Sequence, residues 1–83
     1  MRIFIDVKTP GNGKNYEFRL DSMTTVARAK EKMIDDITEI ENGNITLNLE
    51  KVALYNLTTH SNLQEELTLS AAGVKSGQSL MLL

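Results

Sequence analysis

Met1-Arg2-Ile3-Phe4-Ile5-Asp6-Val7-Lys8 is the stretch on which the reading of the whole chain turns. Met1, Ile3, Ile5 and Val7 alternate with Arg2, Asp6 and Lys8, and a period of two sends one set of side chains to a core and the other to water. A strand is expected. Phe4 breaks the pattern, because it stands among charged residues on the face that should point away from the core. Pro10-Gly11-Asn12-Gly13-Lys14 follows, rich in residues that set or permit turn dihedrals, and Tyr16, Phe18 and Leu20 then alternate with Asn15, Glu17, Arg19 and Asp21. The two runs read as a β-hairpin.

After Asp21 the period changes. Thr24 or Thr25 can cap a helix, and Val26, Ala29, Met33, Ile37 and Ile40 recur at steps of three and four. Arg28, Lys30, Glu31, Lys32, Asp35, Asp36 and Glu39 fill the other faces, and Asn42-Gly43 supplies a left-handed terminator. The spacing predicts a helix from about Val26 to Glu41. Its basic residues crowd the N-terminal half and its acidic ones the C-terminal half, opposite to what the macrodipole favours, which suggests a bipolar surface that orients a partner.

Ile45, Leu47 and Leu49 alternate with Thr46, Asn48 and Glu50 and predict a third strand; a short edge strand is expected near Val52 to Tyr55, then loop. Gly73 and Gly77 punctuate the approach to a last strand, where Leu80 and Leu82 alternate with Ser79, Met81 and Leu83. The sum is an α+β domain, a mixed four- to five-stranded sheet with one helix packed on one face and the other face in solvent. The first and last strands should be neighbours at its centre. If they run parallel, Phe4, Met81 and Leu83 share the open face with Arg2 and Lys8, and an apolar patch of that kind marks a protein-binding surface.

With 83 residues, 41% of them hydrophobic and 24% charged, the chain is expected to form a single domain over residues 1–83. Folding at this length buries roughly 60% of the unfolded surface, which leaves little room for a substrate-enclosing pocket and disfavours an enzyme. A net charge of −2 gives no field to gather phosphates, so nucleic acid is not an expected partner. The absence of Cys removes disulfides and thiol chemistry. No apolar run approaches a membrane span, and Asp6 arrives too early for a signal peptide, so direct membrane insertion is not expected and a cytoplasmic location is. Asn44-Ile45-Thr46 and Asn56-Leu57-Thr58 then read as chance matches to a glycosylation pattern.

Candidate chemistry is sparse. His60, the single imidazole, lies in the polar run Thr58-Thr59-His60-Ser61-Asn62 and reads as an exposed loop residue, since a triad also needs an orienting carboxylate and an oxyanion site. Asp35 and Asp36 diverge by about 100° on a helix and do not converge on one ion. Gly11-Asn12-Gly13-Lys14 lacks the helix N-terminus of a phosphate loop. Met33 falls on the helix stripe, and Met23 and Met81 are too scattered for a cofactor box. No catalytic residue, metal or cofactor is expected.

Beyond this, Met1-Arg2-Ile3-Phe4-Ile5, Val26-Ala27-Arg28-Ala29-Lys30-Glu31-Lys32-Met33 and Leu67-Thr68-Leu69-Ser70-Ala71-Ala72-Gly73-Val74 followed by Leu80-Met81-Leu82 resemble the opening strand, helix and closing strand of the ubiquitin-like β-grasp family. The likeness spans nearly the whole chain. The spacing of Gly73-Val74, Gly77 and Leu80 is most similar to the bacterial YukD and EsaB group, small cytoplasmic proteins associated with type VII secretion in Gram-positive bacteria. That resemblance implies a non-catalytic accessory that binds protein partners, in particular secretion-system components, as a monomer or weak homo-oligomer. Lys51 to Leu63 matches no pattern of the family. Members that are conjugated to targets, or that carry sulfur, need a flexible Gly-Gly tail, whereas this sequence closes on Leu80-Met81-Leu82-Leu83. The alternatives are a modifier or sulfur carrier whose tail is missing, and a scaffold that self-associates through a strand edge.

Overall fold

A computed structural model describes residues 1–83. The elements run β1 (Arg2–Thr9), β2 (Lys14–Asp21), α1 (Val26–Ile40), β3 (Leu54–Asn56), β4 (Ser61–Asn62) and β5 (Ser79–Leu82). They build one five-stranded mixed sheet in the order β2-β1-β5-β3-β4, with β1 and β5 parallel and the other neighbours antiparallel.

The hairpin forms where the turn residues stand. Thr9 C=O accepts from Asn12 N–H and Gly13 N–H at 3.2 and 3.0 Å, and Asn12 Oδ1 accepts from Lys14 N–H at 3.1 Å. Gly13 has φ 68°, a conformation that costs least without a Cβ. The resulting register, Ile3 opposite Leu20 and Ile5 opposite Phe18, puts all four on the helix side.

Helix α1 starts at Thr25, whose Oγ1 accepts from Arg28 N–H at 3.3 Å. Two further orphan donors of the first turn are met from across the chain, Val26 N–H by Leu67 C=O and Ala27 N–H by Glu65 C=O, which ties the loop before β5 to the helix start. Asn42 and Gly43, with φ 54° and 76°, end the helix as expected, Gly43 N–H returning to Thr38 C=O. There is no acid in its first turn and no base in its last. Val26, Ala29, Met33 and Ile37 are fully buried and pack on Ile3, Ile5, Val7, Leu54, Leu80 and Leu82 in a core of 16 hydrophobic residues.

Five expectations need correction. Ile45 to Leu49 forms no strand: Asn48 accepts from Lys51 and Val52 N–H through its C=O and from Glu50 N–H through its Oδ1, so local turn bonds replace a ladder, while Ile45 and Leu47 pack against the core as loop residues. The strand expected at the edge near Val52 to Tyr55 is β3, shifted to Leu54–Asn56 and held between β5 and β4. The edge is β4, in the region expected to be loop. On the helix, Ile40 is 60% exposed and borders the open groove between α1 and β2, and Ile34 takes a place in the core instead. Lys30 is buried although it was assigned to a solvent face: it lies four residues from both Val26 and Ile34, on the flank of the apolar stripe. Its stem packs inward while Nζ donates to Val52 C=O at 2.9 Å and to the Glu65 carboxylate.

The helix end is pinned to the hairpin by Glu41, whose carboxylate accepts from Lys14 Nζ at 2.8 Å and from Tyr16 Oη at 2.7 Å. These two donors, Lys14 foremost, hold the Glu41 carboxyl below its ordinary range. A lowered folded-state value means the stabilisation is complete above the usual carboxylate pKa and fades as pH falls through the folded value. Urea unfolding of wild type and Glu41→Gln should therefore show a wild-type advantage at neutral pH that closes in acid. An advantage that persists unchanged at low pH would refute the carboxylate's role.

Candidate binding face

Because successive strand side chains alternate, burying Ile3, Ile5 and Val7 sends Arg2, Phe4, Asp6 and Lys8 to the open face. The β2 partners on that face are Asp21, Arg19, Glu17 and Asn15, and Ser79 and Met81 join from β5. Phe4 remains 43% exposed. The Arg19 guanidinium carbon stands 4.8 Å from the centre of its ring, a cation–π contact set by the hairpin register that places these residues opposite each other. The Phe4 backbone is fixed on the β5 side, its N–H donating to Ser76 Oγ at 2.9 Å and its C=O accepting from Gly77 N–H at 2.7 Å.

The five residues singled out in the sequence share this face but do not make one patch. The parallel register pairs Asp6 with Ser79, Val7 with Leu80 and Lys8 with Met81. Met81 therefore lies between Lys8 and Tyr55, roughly 13 Å from the level of Phe4 at four strand residues. Level with Phe4 on that side is Gly77, which has no side chain to extend an apolar surface. Phe4 sits with Arg19 and Arg2 at one end; Lys8, Met81 and the half-buried Tyr55 sit at the other. Asp6, Glu17 and Ser79 separate them, and Lys8 Nζ is 3.4 Å from the Asp6 carboxylate. Leu83, 55% exposed, continues the second cluster, its N–H and C=O bonded to Ala53 at 2.9 and 3.1 Å.

Arg19 was legible in the sequence, since the parity of a tight hairpin already sets it beside Phe4. Tyr55 was not, because only the pairing of β3 with β5 brings it to Met81. Elsewhere, His60 is exposed in the turn between β3 and β4 with φ 56°, Asp36 accepts from Lys32 Nζ at 3.0 Å, and no three His, Asp or Glu side chains converge. No helix is long and apolar enough to cross a membrane.

Strand order, the parallel β1–β5 pair and the single helix across one face define the ubiquitin-like β-grasp fold, and solved structures agree. The ubiquitin-like domain of Arabidopsis thaliana protein At2g32350 superposes with a TM-score of 0.72 at 22% identity, covering 99% of this chain and 76% of that one. Ubiquitin of Caldiarchaeum subterraneum gives 0.73 at 19% identity, with 99% and 91% covered. The UBL domain of Plasmodium falciparum Dsk2 gives 0.70 at 21% identity, with 99% and 96% covered. At these identities the likeness is one of fold. Neither a family model nor a curated protein matches the chain.

Proposed function

We propose that residues 1–83 form one ubiquitin-like domain that acts as a non-catalytic protein-binding accessory of a bacterial type VII secretion system, working in the cytoplasm. The observation that carries a binding role is Phe4, a large ring left 43% exposed among charged neighbours on the sheet face that no element covers. The helix face is consumed by the core, so the open face is the surface available for docking. Phe4 with Arg2 offers one contact point, and Lys8, Met81 and Leu83 the other. A partner would meet two small apolar sites divided by polar residues, an arrangement that fixes register as well as affinity. The assignment to secretion rests on the sequence resemblance of the closing segment, Gly73-Val74, Gly77 and Leu80.

Ser79 to Leu82 form the middle strand β5, paired with β1 and β3, so their backbone serves the sheet while Met81 faces the open side. Affinity capture from the native cell tests the reading. Membrane components of the secretion system should accompany wild type and be lost, about tenfold or more, with the folded double variant Phe4→Ala, Met81→Ser. Equal recovery with both proteins moves the docking site off this face, and ladders of covalent adducts would favour a modifier.

A further inference from the structure

The hairpin leaves β2 at the border of the sheet, with no strand beyond it. Which of its backbone groups face outward follows from the bonds on the far side of β1. Phe4 C=O accepts from Gly77 N–H and Asp6 N–H donates to Gln78 C=O, so even-numbered residues of β1 bond toward β5. The odd-numbered Ile3, Ile5 and Val7 then bond toward β2, through Leu20, Phe18 and Tyr16. That leaves the N–H and C=O of Asn15, Glu17 and Arg19 pointing out of the sheet, eligible to pair with another extended chain.

The side chains of those residues say which chain. Glu17 and Arg19 are both exposed, and neither takes part in an ion pair within the molecule. Two residues apart on one strand face, they carry opposite charges. If a second β2 approaches antiparallel with Phe18 opposite Phe18, Glu17 of each copy lies directly across from Arg19 of the other, and Asn15 across from Asp21. The outward-facing backbone groups meet as hydrogen-bonded pairs in that same register. Shifting by two residues in either direction sets Glu17 against Glu17 or Arg19 against Arg19, which like-charge repulsion disfavours. Arg19 holds its face over Phe4 and makes no hydrogen bond through its edge donors, which remain for the opposing carboxylate. Below the edge, between β2 and α1, runs an open groove of about 800 Å³ bordered by Tyr16, Lys32, Asp36 and the exposed Ile40, so no element obstructs the approach.

We propose that β2 is a self-complementary edge through which two copies of this chain pair antiparallel about Phe18, joining their sheets into one. The backbone edge is distinct from the open-face contact points although Arg19 also lies over the Phe4 ring, so Glu17→Arg tests the edge and Phe4→Ala, Met81→Ser tests docking. Sedimentation equilibrium from micromolar to millimolar concentration should show wild type passing from monomer to dimer. Glu17→Arg alone and Arg19→Glu alone, each confirmed folded by circular dichroism, should need about tenfold higher concentration or more to dimerise, because both cross-strand pairs become repulsive. An equimolar mixture of the two variants should dimerise as wild type does, since each then meets its opposite, and so should the Glu17→Arg, Arg19→Glu double variant. A monomeric wild type overturns the proposal and leaves the edge to a different extended chain. Single variants that dimerise undiminished, or a mixture that stays monomeric, overturn the register.

Discussion

Leu80→Ala should cost about 2 to 5 kcal/mol, the range for emptying a closed core site, and on the order of 0.05 to 0.15 kcal/mol per residue of total stability leaves little margin for it. Leu80 is fully buried on the middle strand, opposite Val7 on one side and Asn56 on the other, so the rigid surroundings cannot collapse into the space. Met81→Ala, one residue away on the open face, should cost under about 1 kcal/mol. Denaturant midpoints of the two variants measure the contrast directly. Similar losses for both would mean that β5 does not present these faces as described.

The second large effect is expected at a polar residue. Asn56 is completely buried, and its amide closes the turn between β3 and β4: Oδ1 accepts from Thr58 and Thr59 N–H at 2.9 and 3.2 Å, while Nδ2 donates to Gln78 Oε1 at 3.0 Å. The same Gln78 oxygen accepts from Lys75 N–H at 2.9 Å, so one side chain couples this turn to the approach to β5. Asn56→Ala removes all three of its side-chain bonds and should lose about 1.5 to 4.5 kcal/mol, at about 0.5 to 1.5 kcal/mol for each bond. Hydrogen exchange gives the specific signature. The Thr58 and Thr59 amides should exchange freely in the variant while the helix retains relative protection; unchanged protection of these two amides would contradict the network.

On the proposed reading, the open face and the β2 edge would serve two jobs with different physics. Phe4, Met81 and Leu83 offer side-chain contacts, whose affinity comes from removing apolar area from water. The edge offers backbone hydrogen bonds, whose specificity comes from the order of Glu17 and Arg19. Joining sheets at the edge would extend the open face rather than cover it, so a paired protein would present its contact points twice, and a partner with two copies of the matching site would gain from avidity.

Local pattern and tertiary placement part company at identifiable residues. The hairpin, the helix and the closing strand were legible because each is long enough to show its period, and because Gly13, Thr25 and Gly43 punctuate them with turn and cap chemistry. The stretch from Ile45 to Leu63 was not. Alternation of Ile45, Leu47 and Leu49 meets the condition for a strand, but turn bonds to the Asn48 carbonyl and side chain compete with a ladder and replace it. Lys30 failed for a related reason: charge suggests solvent, yet a long stem can be buried when a carbonyl and a carboxylate wait at its tip.

By itself, then, the order of residues determined which faces of β1, β2, α1 and β5 turn inward, because periodicity and turn chemistry act over a few residues and depend on nothing distant. Only the tertiary structure decided that Met81 stands beside Lys8 and Tyr55 rather than Phe4, that Leu54–Asn56 is an inner strand, and that Asn56 is buried at a turn. Those facts depend on register between segments as far apart in the chain as Lys8 and Met81. Register of that kind is set by the collective packing of the core, and no local pattern encodes it.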